Sequence, residues 1–147
     1  MIWDANKTYA LLLLPLFVAS AIFLLNRGDE VSGPTIRIGD REWRAEIADT
    51  DVSRAKGLSD RDTLCAECAM LFRFDAEGTY GFWMKGMRFP IDIAWIRKGV
   101  IVHIERHVPA DFEGIMTPST PADTVLETNA GDLDDVLTGA DATFHER

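Results

Sequence analysis

The sequence predicts a mainly β domain, a compact sandwich or barrel of short antiparallel strands with two short helices, preceded by one amino-terminal transmembrane helix. Three observations carry this expectation. After Thr35, short runs rich in Val, Ile, Phe, Tyr and Trp recur between glycine and proline breaks. Only two stretches carry helix caps, and each has room for one or two turns. Tyr9 to Leu25, finally, runs without a single charged residue and is apolar on all sides, which disfavours a core helix of the domain.

The elements follow in order. Residues 1–26 read as the membrane anchor. As a helix, the Tyr9 to Leu25 run reaches roughly 26 Å, a marginal span of a hydrocarbon layer about 30 Å thick. Trp3 and Tyr9 on one side and Asn26 and Arg27 on the other are suited to the interfaces, and Pro15 is tolerated in a membrane helix. A cleavable signal peptide is the alternative, since Ala19-Ser20-Ala21 fits the small-residue rule, but Ile22 to Leu25 carries the apolar run past that site. The flanking charges, Lys7 and Arg27, do not decide orientation. A short tail before a folded domain is the pattern of a signal anchor. The expectation is therefore a single-pass protein of the cytoplasmic membrane with its domain on the extracytoplasmic side. Residues 27–34, with Gly28, Gly33 and Pro34, read as a tether, and residues 35–147 as the β domain.

Within the domain, Arg41 to Ile47 alternates, with Trp43, Ala45 and Ile47 on one face and Arg44 and Glu46 on the other, as in a half-buried strand. Asp49-Thr50 caps a short helix through Val52 and Ala55, which Gly57 ends. Leu71 to Phe74, Tyr80 to Met84, Ile91 to Ile96 and Val100 to Val108 are strand-like, and Lys98-Gly99 makes a hairpin of the last two. A long irregular stretch with Pro118 and Pro121 leads to a strand near Thr124 to Thr128. Asp132 then caps a second helix with Leu133, Val136 and Leu137 on one side, closed by Gly139.

The chain has 15 basic and 24 acidic residues, a net charge of −9, and most of the excess lies after Ala110. Such a surface repels a phosphate backbone, so no nucleic-acid partner is expected. No phosphate-binding glycine loop, dinucleotide fingerprint, zinc-protease helix motif or nucleophile elbow occurs, and no cofactor is expected. Cys65-Ala66-Glu67-Cys68 holds both cysteines. It can close as a small-loop disulfide in an oxidising compartment, remain as free or redox-active thiols, or, with His103 and His107, hold zinc. The 34 residues between the two pairs exceed finger spacing. His103, Glu105 and His107 simply alternate onto one strand face, so no metal site is expected beyond that weak alternative.

Ile47-Ala48-Asp49-Thr50, Arg54 to Leu58, Met70 to Phe74, Phe82-Trp83-Met84-Lys85 followed by Pro90 to Ile93, and Val125 to Gly131 together resemble the family catalogued as domain of unknown function 192. Order and spacing agree from about Arg44 to Phe144. The chain departs from the family pattern at Ala69, where glycine often stands, and at Ser59, where methionine is common. The resemblance implies a small mainly β fold, often exported or anchored, with no activity to carry over.

The residues themselves raise a chemical question. On the Ile91 to Ile96 strand both faces are apolar, so Asp92 is interior and needs hydrogen bonds or a cation; Lys85 and Arg88 are the nearest bases in sequence. Glu127, between Leu126 and Ala130, has the same problem. With Trp83, these residues form a structural network, line a pocket for a small polar or saccharide-like ligand, or supply an acid–base pair. The expected function is a membrane-anchored extracytoplasmic β domain that binds such a ligand or an envelope protein. The alternatives are an envelope glycan hydrolase or lyase using Asp92 and Glu127, and a structural accessory subunit.

Overall fold

The structure is a computed structural model that describes residues 33–146. The expected anchor and most of the tether, residues 1–32, lie outside the described residues. No helix among the described residues is long and apolar enough to cross a membrane.

Seven strands and one short helix follow one another: β1 (Thr35–Ile38), β2 (Arg41–Ala48), α1 (Asp51–Lys56), β3 (Cys68–Gly78), β4 (Ile91–Arg97), β5 (Val100–Val108), β6 (Ala122–Asn129) and β7 (Ala142–His145). They form one sheet in the order β5-β4-β6-β3-β2-β1-β7, curled into a half-barrel. At one end the edge strands meet: Val100 bridges Asp141, and the Ala142 N–H donates to the Gly99 carbonyl at 2.8 Å. This contact covers part of two edges that would otherwise present unpaired backbone.

Alternation along the strands sorts the apolar residues onto two faces. The inner face buries Ile36, Trp43, Leu71, Ala94, Ile101 and Leu126. The outer face of the central strands buries Met70, Phe72, Ile91, Ile93, Trp95 and Val125 under Leu58, Met84 and Met116 from the connections. Strand β4 is buried on both faces, which is why it reads as nearly continuous apolar sequence, and β6 beside it is buried from Val125 to Thr128 although Glu127 and Thr128 are polar.

The β4–β5 hairpin forms as its turn chemistry predicts, with Lys98 and Gly99 both at positive φ, 50° and 77°. Other expectations need correction. The pairs are not all antiparallel, because β2 and β3 run parallel. A parallel pair requires a crossover, and here α1 and residues 57–67 supply it over the outer face. Helix α1 has the expected Thr50 cap, reinforced by a Ser53 capping box, and the expected Gly57 stop. Val52 and Ala55, however, are exposed, and no α1 side chain is buried.

The second helix does not form; residues 131–135 are turns. The N–H groups of Gly131 and Leu133 donate to Asp92 Oδ2, both at 2.9 Å. Asp132 accepts from Arg41 and from the Trp43 indole instead of acting as a cap. Nor is Tyr80 to Met84 a strand. It crosses the outer face, held by a bridge between Phe82 and Met116 and by its rings: Tyr80 stacks on Phe74 at 3.5 Å and Phe82 meets Phe72 edge-on at 4.8 Å. Gly81 permits this close approach, since a Cβ there would fall 2.6 Å from Ile115 Cγ2.

Candidate ligand-binding site

The crossover and the Tyr80 to Met84 segment both pass over the outer face, and between them lies a cleft of about 240 Å³. Because α1 buries none of its own side chains, it roofs this space without filling it. Phe72, Phe74, Tyr80, Phe82 and Trp83 supply aromatic walls, while Asp51, Arg54 and Lys56 stand on α1. Trp83 is 52% exposed, unusual for so large an apolar ring.

Glu127 lies at the base. Its register opposite Met70 on β3 and Ile93 on β4 puts it on the outer face with Phe72. It is only 5% exposed, and Oε2 has no hydrogen-bond partner. Burial pushes its carboxyl up to about 8, against the opposing pull of the Arg61 charge. Arg61 is itself taken by Glu46 at 2.7 Å, a bond that raises the guanidinium and lowers that carboxyl. The backbone of Gly57 sits over the acid: a Cβ there would lie 3.3 Å from Phe72 and 3.9 Å from Glu127 Oε2. Its φ of 49° with ψ of −136° also favours glycine.

Asp92 is equally buried and differently served. It pairs with Thr128 on β6 and shares the inner face with Ala94. Oδ1 accepts from the His107 N–H at 2.7 Å, and Oδ2 from Gly131 and Leu133. Three backbone donors make it the tie between β4, the β5 bulge and the loop after β6. Asp92 and Glu127 are thus on opposite faces of the sheet, and one bound molecule does not meet both.

A family model for DUF192, described as "Uncharacterized ACR", matches residues 35–143. The chain belongs to this family. Two solved structures are similar in fold to this chain. One is a protein of unknown function from Novosphingobium aromaticivorans, 26% identical, with a TM-score of 0.70 over 78% of this chain and 89% of that one. The other is a protein from Sinorhizobium meliloti described as a "putative transcription regulator", 28% identical, with a TM-score of 0.72 over 78% of this chain and 97% of that one. None of the curated proteins matches.

Of the residues singled out by sequence, Trp83 and Glu127 line the cleft together. Lys85 does not join them. It is exposed beside a shallower groove with Asp111 and Glu113, which Trp83 also borders. Arg88 is exposed and paired with Asp62 at 2.6 Å. Cys65 and Cys68 are bridged, with Cα atoms 5.1 Å apart, and the Arg44 guanidinium lies 3.4 Å from Cys65 Sγ.

The zinc alternative fails on topology. Phe72 of β3, Val125 of β6, Trp95 of β4 and His103 of β5 lie in one row across the sheet, which sets His103 about 14 Å from β3 at the usual strand spacing. Among the described residues no three metal-ligating side chains cluster. The alternation of His103 and His107 also breaks. An extra residue in β5 puts His107 at φ 51°, where its ring meets Asp134 at 2.7 Å while His103 meets Glu105.

Sequence reasoning missed Phe72, Phe74, Tyr80 and Phe82 as cleft residues. The signal was present in Phe72-x-Phe74 and Tyr80-x-Phe82, two aromatic pairs at strand spacing.

Proposed function

We propose that this domain is a binding module for a small organic molecule, seated in the cleft on Glu127 and against Trp83. The observation that carries the reading is the Glu127 carboxyl, buried and unpartnered at the foot of an aromatic cleft. Leaving a buried carboxyl unpaired costs stability that an apolar side chain would not, and a ligand supplies the missing partner. The hydrolase reading loses support because Asp92 faces the other way, and an accessory-subunit reading does not account for an open cleft. The description of the Sinorhizobium protein raises nucleic acid as a partner, but a net charge of −9 argues against it here.

The test is a thermal-shift screen of a chemically broad small-molecule library. The expected result is a stabilising compound whose shift shrinks in Trp83→Ala and disappears in Glu127→Leu. Compounds that act equally on all three proteins would place binding elsewhere, and a screen without any hit would count against a binding module.

The same proposal includes a membrane-anchored, extracytoplasmic location. The uncharged run from Tyr9 to Leu25 and the Cys65–Cys68 bridge support it, since such bridges persist in oxidising compartments. Alkylation of freshly recovered membranes should label no thiol before reduction and two afterwards. Two thiols labelled at once would contradict that location.

A further inference from the structure

The floor and walls of the cleft agree in sign. A carboxylate at the base attracts positive charge, and the negative faces of aromatic rings do the same. Once Glu127 is ionised, an anion meets repulsion from both, and a neutral group gains hydrogen bonding and stacking without the charge attraction. The bases nearby are largely committed. Arg54 donates to the Asp49 and Arg73 carbonyls and to Asp51, with its guanidinium over the Phe74 ring at 5.2 Å. Arg61 is held by Glu46. The Tyr80 hydroxyl donates to the Ala76 carbonyl at 2.7 Å.

Resting on the binding reading above, we propose that the cleft recognises a small organic cation, with its ammonium group on the Glu127 carboxylate and its carbon skeleton against Trp83 and the neighbouring rings. The charged and titratable groups that face this position are Asp51, Arg54 and Lys56 from α1, Arg61 from the segment after it with Glu46 of β2 behind, and Tyr80 from the β3–β4 connection. Strands β3 and β4 present only apolar side chains beside Glu127, Met70 and Ile93. Lys56 is the one cation of α1 that no described carboxylate pairs with, and it works against the proposal.

Because Glu127 holds its proton up to about pH 8 in the empty cleft, an ammonium must displace that proton. Amine affinity should therefore rise about tenfold between pH 7 and pH 9, the change expected for a single acid with that midpoint.

The experiment is calorimetric titration of the full chain with three probes of one shape and different charge: 2-phenylethylamine, 2-phenylethanol and 3-phenylpropanoate. The expected result is amine binding about tenfold or more tighter than either of the others, strengthening with pH while the alcohol stays level, with a proton released on binding at pH 7. Glu127→Gln should remove the amine's advantage. If the alcohol or the propanoate binds as tightly as the amine, and Trp83→Ala weakens it, the cation inference is overturned while the cleft remains a binding site. If none of the three binds, the cation inference also falls, and the binding reading is then judged by the broader screen alone.

Discussion

Asp92 and Glu127 sit on adjacent strands of one sheet, both almost free of solvent, yet their surroundings could hardly differ more. Asp92 receives three backbone N–H groups; the buried oxygen of Glu127 receives nothing. The contrast separates two uses of a buried acid. Where donors converge, the carboxylate ties elements together, here β4, the bulge of β5 and the turns after β6. Where the surroundings are rings and the donors are absent, the acid is costly to the fold, and the proposed ligand would offset that cost.

The sharpest way to break this comparison is to truncate Asp92. Asp92→Ala orphans three backbone N–H groups and should lower unfolding stability by about 3–5 kcal/mol, enough to leave the protein poorly folded at ordinary temperature. Urea denaturation followed by far-ultraviolet circular dichroism measures it, and a loss below about 1 kcal/mol would remove Asp92 from its structural role.

Asp92→Asn sharpens the point, since it preserves shape but turns an NH2 group toward donors. A loss of about 1–3 kcal/mol is expected. Near-equality with the native protein in the same denaturation would show that shape alone suffices.

The smallest effects belong to the rim. Trp83→Phe keeps most of the apolar volume at a half-exposed site, and Lys85→Met keeps the aliphatic stem of an exposed residue. Both should stay within about 0.5 kcal/mol of the native protein. They should differ in binding: Trp83→Phe weakens a cleft ligand, and Lys85→Met leaves it unchanged, as titration of the same ligand into both would reveal. Unfolding of Lys85→Met would mean that Lys85 compensates a buried acid after all.

How much of this was legible in the sequence depends on whether the information was local. Strand β2, the hairpin turn at Lys98-Gly99, and the Thr50 and Gly57 ends of α1 were readable because alternation and capping act over a few residues. The burial of Asp92 and Glu127 was readable from their apolar neighbours. Which face each acid takes was not, because that follows from the pairing of β6 with β3 and β4, which are distant from it in the chain. The failed helix at Asp132 has the same origin. Its local cap signal was sound, but Asp92, forty residues away, took its N–H groups. The Tyr80 to Met84 strand fails because its rings pack on the face of the sheet, against Phe72 and Phe74 of β3, a contact that the local sequence does not show. Strands β1 and β7, short and at the sheet's far side, carry too few residues for a pattern.

The central claim is that Glu127 is held without a partner in the folded state, and its sign with pH is fixed. The folded carboxyl sits at about 8 and the ordinary value is 4.5, so the native state binds the extra proton between them. Stability is therefore full at low pH and falls as pH rises through that window, by about 2 kcal/mol between pH 6 and pH 8. Glu127→Gln, which cannot ionise, removes that loss. The decisive measurement is the urea midpoint of the native protein and of Glu127→Gln at pH 6 and at pH 8. The account predicts that the variant gains on the native protein by about 2 kcal/mol across that interval. Parallel pH dependence in the two proteins would contradict it, because it would mean that the folded protein already supplies Glu127 with a partner.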